Sequence, residues 1–134
     1  MASELDAEVQ RLLFEHVASY EQLEALLLLR ADPARASGTR ELAERLRIDE
    51  SSVMAALEEL TAHHLLQRTG GTPALYRYAP ADARLGIIVE RLALLYDAQR
   101  LEVIRQMSAN AIERLRSSAA RTFADAFLLR GRKE

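Results

Sequence analysis

Apolar residues recur at helical spacing through most of the chain. Leu5, Val9, Leu12 and Leu13 define one face over residues 3–15, a stretch without Gly or Pro, and predict a short amphipathic helix with an acidic polar face. Ser19 followed three residues later by Gln22 is a capping-box start. Leu23, Leu26, Leu27 and Leu29 extend it into a largely buried helix that ends near Arg30, stopped by Asp32 and Pro33. Residues 33–38 are small and turn-prone, and read as a loop leading to a cap at Thr39. A third helix is expected over 40–46. After the tight connection Arg47-Ile48-Asp49-Glu50, Asp49 is placed to cap a fourth helix over about 50–63, with Val53, Leu57 and Leu60 on its inner face.

Leu65-Leu66-Gln67-Arg68 and Leu75-Tyr76-Arg77-Tyr78 are strand-like runs on either side of a Gly- and Pro-containing segment, which together predict a β-hairpin closed by Pro80. From 81 to 107 the chain holds Gly86 and no Pro, so one helix of about 27 residues, roughly 40 Å long, is predicted. Leu85, Ile88, Leu92 and Leu95 form one apolar stripe on it, suited to the chain's own core. Ile87, Leu94, Leu101 and Ile104 form a second, suited to a partner. Asn110 with Glu113 marks a further capping-box start, from which Ile112, Leu115, Ala119, Phe123 and Phe127 carry a last amphipathic helix to about Arg130. Three regions follow: an N-terminal amphipathic helix over 1–18, a central domain over 19–80, and a C-terminal helical region over 81–134.

Charge changes this picture more than composition does. The net charge is −2, but residues 1–34 carry two basic and seven acidic groups, residues 35–80 six of each, and residues 81–134 ten basic and seven acidic. The acidic first segment and the basic last one should attract each other, within one chain or between two, and Phe123 and Phe127 call for burial. No apolar run exceeds residues 25–29, far short of the roughly 20 residues that cross a bilayer, so no membrane insertion is expected. The acidic N-terminus does not read as a secretory signal, and a cytoplasmic protein is expected. Absence of cysteine excludes disulfides and thiolate chemistry.

Other candidate chemistry is sparse. His63 and His64 are adjacent on a helix and so point about 100° apart, with His16 the remaining histidine; imidazoles favoured by a helix C-terminus are the expected role, and no metal site. Gly70-Gly71 lacks a following Lys-Ser/Thr and sits in a hairpin tip, unlike a phosphate-binding loop. Asp97, Glu102 and Glu113 lie among arginines as salt-bridge partners, and no acid pair is set opposite a pocket. Neither a cofactor nor an enzymatic activity is expected.

The segment 41–60 resembles the helix-turn-helix of winged-helix transcriptional regulators such as the MarR-like group. Ala43 is small where two helices would approach closely, Leu46, Ile48, Val53 and Leu57 would fill the wedge between them, and a polar cap starts the second helix. The hairpin after Leu65-Leu66 matches the wing. The resemblance implies a mainly α-helical, winged helix-turn-helix core with a two-stranded wing and a long C-terminal helical extension. Where that group usually has glycine, in the turn and before the wing, this chain has Arg47 and His64. Both sites are expected to need a left-handed backbone, which such residues adopt at a cost.

The resemblance further implies that the helix over 50–63 reads double-stranded DNA. Ser51, Ser52, Met54 and Ala55 would lie on its exposed N-terminal part, Thr39, Arg40 and Arg47 would hold phosphates, and Arg68 and Arg77 would carry the wing to the flanking backbone. A homodimer joined through Ile87, Leu94, Leu101, Ile104, Phe123 and Phe127 would suit a palindromic site. None of the reading-helix residues supplies a bidentate fork for guanine or adenine, and the central segment is neutral. A winged helix that receives another protein, without DNA, therefore stands as the alternative.

Overall fold

The structure, a computed structural model, describes residues 6–132, with side chains described through residue 127. Residues 3–5 of the expected first helix, residues 133–134, and the side chains of Arg130 and Arg132 lie outside that description. Helix α1 (Ala7–Glu15) begins where Asp6 accepts the Val9 amide at 2.9 Å, and it buries Val9, Leu12 and Leu13. Helix α2 (Tyr20–Ala31) is capped as its sequence predicts: Ser19 Oγ accepts the Gln22 amide at 3.1 Å, and Gln22 Oε1 accepts the Ala18 amide at 2.8 Å.

The segment expected to be only a loop contributes a strand. β1 (Ser37–Gly38) pairs antiparallel with β3 (Leu75–Tyr78), which pairs on its other edge with β2 (Leu66–Arg68), so the sheet has three strands in the order β1-β3-β2. Ser37 is thereby buried. A two-residue strand has no periodicity to detect; its existence depends on the partner edge that β3 offers. The cap of α3 (Thr39–Leu46) is Gly38 rather than Thr39, which is the first helical residue.

Helices α3 and α4 (Glu50–Ala62) form the helix-turn-helix. Leu42, Val53, Leu57 and Leu60 are at most 1% exposed, and Ala43, Leu46 and Ile48 pack partly buried against the same core. The turn between the two helices and the exit from α4 both pass through left-handed residues, as expected: Arg47 at φ 58° and His64 at φ 65°. The Arg47 and Ile48 amides both return to the Ala43 carbonyl, and the Leu65 amide returns to the Leu60 carbonyl at 3.0 Å. The wing loop is closed by Thr69, whose amide donates to the Leu75 carbonyl at 2.8 Å while its hydroxyl oxygen accepts the Leu75 amide at 3.1 Å.

The C-terminal helices divide differently from the prediction. α5 (Ala83–Ala98) ends at Gln99, whose φ of −140° is not helical, and α6 (Arg100–Arg132) then runs unbroken through Asn110, the expected cap. The apolar periodicity continues across the break, from Val89, Leu92 and Tyr96 to Val103 and Met107, all buried. A straight helix of that length would leave the globular core at one end. The bend at Gln99 lets both halves stay on it. Asn110 is itself buried and accepts a hydrogen bond from Gln106 at 3.0 Å, in the middle of a helix rather than at its start.

Polar ties set the C-terminal helices against the front of the chain. Arg30 of α2 forms a two-pronged pair with Glu90 of α5 at 2.7 and 2.9 Å, which holds the Glu90 carboxyl below its ordinary range. Tyr96 donates to Glu24 at 2.7 Å. The acidic face of α1 does meet basic residues, but those of α5: Arg84 and Arg91 reach Glu8, and Arg91 also lies 3.9 Å from Asp6. The basic last helix sends Arg114 to α1, where it donates to the Leu13 and Phe14 carbonyls and covers the Phe14 ring. Beyond Asn110 every other described side chain is exposed. Phe123 and Phe127, expected to be buried, are 73% and 69% exposed and stack on each other.

The left-handed turn generates a stability prediction. An L-residue in that region costs about 1–2 kcal/mol, whereas Gly pays about 0.5–1 kcal/mol in the unfolded state. Arg47→Gly should therefore leave stability unchanged or raise it by up to about 1 kcal/mol, while the β-branched Arg47→Val lowers it. Urea denaturation followed by circular dichroism measures both, and a clear loss of stability in Arg47→Gly would contradict the assigned turn.

Candidate nucleic-acid interface

Helix α4 has one face sunk in the core through Val53, Ala56, Leu57 and Leu60, so its other face is necessarily presented outward. Ser51, Met54, Ala55, Glu58 and Glu59 are exposed there, and Ser52 is half-buried. The wing stands beside it: Arg68 ends β2 opposite Tyr76, and Arg77 lies opposite Gln67, to whose Oε1 it donates at 2.6 Å. Between α4, the start of α3 and the wing is an open cleft of about 350 Å³. Thr39, Arg40, Met54 and Arg68 line it together. Arg47, Ser51, Ser52, Ala55 and Arg77 lie outside it, the first four around the turn and the start of α4.

Two acidic residues absent from the expected set, Glu50 and Glu58, line the same cleft. Their signal was present in the helical spacing, since 50, 54 and 58 fall on one face with Met54. The arginines are partly occupied. Arg40 lies 3.9 Å from Glu44, Arg45 lies 3.9 Å from Glu41, and Arg35 pairs with Glu41. Arg47 and Arg68 make no ion pair among the described residues.

The start of α4 is more tightly organised than its sequence suggests. Asp49 accepts the Ser51 hydroxyl at 2.6 Å, the Ser52 hydroxyl at 2.8 Å and the Ser52 amide at 3.0 Å. Those three donors, the Ser51 hydroxyl foremost, hold its carboxyl down to about 2. Both serine hydrogens are thus committed to Asp49, which leaves the hydroxyl oxygens as acceptors toward any ligand. Serines at the front of the helix can receive a donor from a base edge more readily than they can donate to a phosphate.

The second group of expected residues lies on the C-terminal helices, outside the cleft. Ile87, Leu94 and Leu101 are 55%, 70% and 68% exposed along the α5–α6 outer surface. Ile104 departs from that stripe, because the bend at Gln99 turns it partly inward against the core. Of the histidines, His63 caps the C-terminus of α4, and His16, the cap of α1, approaches it to 3.0 Å. Burial, then the neighbouring His63, hold His16 below the ordinary imidazole range.

No protein-family model and no curated protein matches this chain. Solved structures resemble it at low sequence identity. HlyU from Vibrio cholerae is 20% identical, covering 69% of this chain and 97% of its own, with a TM-score of 0.51. A homodimeric winged helix-turn-helix DNA-binding domain, Mb0332 from Mycobacterium bovis, is 17% identical over 74% and 93% of the two chains, with a TM-score of 0.50. MepR from S. aureus, solved in complex with DNA, is 20% identical over 82% and 88%, with a TM-score of 0.52. At such identities the likeness establishes the fold, a winged helix-turn-helix flanked by helices.

The Asp49 cap gives a pH prediction with a definite sign. A carboxyl whose folded value lies below its ordinary 3.8 stabilises the folded state above that pH, and the contribution is lost as pH falls toward about 2. The Asp49 carboxyl carbon should titrate with a midpoint near 2 by NMR, with the Ser52 amide following it. A midpoint at the ordinary carboxylate value would show that the three donors are not engaged in solution.

Proposed function

We propose that this chain is a DNA-binding transcriptional regulator that acts as a cytoplasmic homodimer and has no enzymatic activity. The observation that carries the proposal is the shared cleft: the outward face of α4 opens onto the wing's Arg68 and the Arg40 end of α3. In this reading residues 19–80 are the DNA-reading domain. The Ser51 to Ala55 surface of α4 enters the major groove, Thr39, Arg40 and Arg47 hold phosphates, and Arg68 and Arg77 bring the wing to the flanking backbone. Support comes from MepR, which shares the fold and was solved with DNA.

Residues 81–134 are the dimerisation region in this proposal and residues 1–18 an N-terminal helical segment, whose described helix α1 packs on α5 and α6. Ile87, Leu94, Leu101, Phe123 and Phe127 form the contact; each is a large apolar side chain left exposed, the kind of residue a protein interface covers. Ile104 supports the interface from beneath by fixing the start of α6 on the core. The homodimeric Mb0332 domain is consistent with a two-fold assembly. Among the described residues no helix is long and apolar enough to cross a membrane. A second reading, a winged helix that receives a protein, is favoured by one specific observation: Glu50 and Glu58 share the cleft with the arginines, so its charge is balanced.

Fluorescence anisotropy on a pool of genomic fragments at several salt concentrations separates the two. DNA binding predicts sub-micromolar affinity that weakens with salt and enriches a palindrome. Alanine at Arg47, Arg68 and Arg77 together should reduce the salt slope by up to about 3, roughly one for each lost phosphate contact. Unchanged affinity for the best fragment in that triple variant would sink the DNA proposal, and no binding even at about 50 mM salt would favour the protein-receiving one.

Dimerisation has its own test. Leu94→Glu with Leu101→Glu places two charges on the exposed stripe without touching the core, and light scattering after size exclusion should then record half the parent's mass. A parent that is already monomeric, or a variant that remains dimeric, would rule out this interface.

A further inference from the structure

The fold brings together two imidazoles that the sequence separates by 47 residues. His16 closes α1 and His63 closes α4, and their Nδ1 atoms lie 3.0 Å apart with ring planes inclined at 74°. The outer nitrogens each face a carboxylate: His16 Nε2 lies 3.8 Å from Glu15 and His63 Nε2 lies 3.7 Å from Glu59. Both side chains are about one-third exposed, 34% and 35%, so the pair is open to solvent.

Metal-ligating histidines commonly have a carboxylate on the side of the distal nitrogen; here the carboxylates lie just beyond hydrogen-bond distance, within reach of a small side-chain rotation. If both outer nitrogens carry the hydrogen, the two inner lone pairs confront each other at 3.0 Å, a repulsion that a shared cation converts into attraction. The separation is close to what a shared cation needs. With metal–nitrogen bonds of about 2.0–2.1 Å, 3.0 Å subtends about 91–97° at the metal, whereas tetrahedral zinc would need about 3.3 Å. Near-right-angle nitrogen ligands suit tetragonal Cu(II) or Ni(II).

We propose that His16 and His63 form a two-imidazole binding site for such a divalent transition cation, clasping the C-terminus of α1 to that of α4. No group of three or more His, Asp or Glu side chains is arranged to hold a metal among the described residues, so the remaining coordination positions belong to water. His64 takes no part in the hydrogen bond or the ring contact that join His16 to His63, and the proposal does not count it as a ligand. The site stands independently of whether α4 reads DNA.

NiCl2 titrated into the full-length protein at about pH 7.5, where free imidazoles are mainly neutral, should give saturable uptake of one ion per chain by calorimetry. His16→Asn or His63→Asn should abolish it, and Glu59→Gln should weaken it about tenfold. His64→Asn, which tolerates the left-handed backbone, should leave it unchanged. In the unaltered protein, paramagnetic broadening should centre on the His16 and His63 rings, a readout that does not depend on any variant folding. No saturable uptake, as a pair sharing only a proton would give, overturns the proposal. So does uptake that survives both substitutions, or broadening centred on His64.

Discussion

Helix α4 is held between two residues in the left-handed region, and the arrangement of the central module follows from them. Arg47 turns the chain sharply enough for Leu42, Val53 and Leu57 to share one buried wedge, and His64 reverses it so that Leu65 and Leu66 run directly into the core-facing start of the wing. Either residue in an ordinary helical or extended conformation would displace everything after it. Glycine reaches this conformation without a Cβ penalty, but a side chain there is not only a cost. Arg47 presents a cation at the outer corner of the turn, and the backbone at His64 starts the return that leads into β2. Strain is tolerated here because the Ala43 and Leu60 carbonyls are each satisfied by the turn that creates it.

The uneven charge along the chain is met in part by contacts between its helices. Acidic Asp6, Glu8 and Glu24 meet Arg84, Arg91 and Tyr96, and Arg30 meets Glu90, so three acids of the negative first segment are turned toward α5. These are partly exposed pairs, and each contributes little to stability on its own. Their larger effect is to fix the orientation of α1, which also receives Arg114 from α6. Nine residues of helix thus connect the C-terminal helices to the central module.

Features carried by local chemistry were legible in the sequence. Ser19 and Asp49 cap where their spacing indicates, the two wing strands lie where alternation of apolar residues puts them, and the departures from glycine at 47 and 64 correctly marked left-handed backbone. Features created by tertiary partners were not. Ser37 becomes a strand because β3 has a free edge, Gln99 breaks a helix that has no Gly or Pro there, and His16 meets His63 only after two helices cross. Asn110 misled for a related reason. Its Ser/Thr/Asn-type capping pattern is identical on paper to a real one, but burial and the Gln106 amide engage the side chain within a continuous helix. In the candidate site, Arg40, Met54 and Arg68 were found by motif, whereas the acids that share their cleft were passed over because the motif assigns them no part.

Under the proposed function, the balanced charge around α4 has a consequence for how DNA is held. Four arginines, Arg40, Arg47, Arg68 and Arg77, are exposed around α4, and one of them lies near a glutamate while another is bonded to Gln67. With so few phosphates neutralised, a single copy gains little from counterion release. Two copies joined rigidly double the contacts, and once the first half-site is engaged the second is held at high effective concentration. The exposed stripe on α5 and α6 and the weak charge of the central module are therefore linked in this reading: the less each module attracts the duplex alone, the more affinity depends on the pairing that Ile87, Leu94 and Leu101 would supply. Such dependence also favours selectivity, since isolated half-sites lose the second set of contacts while correctly spaced ones keep both.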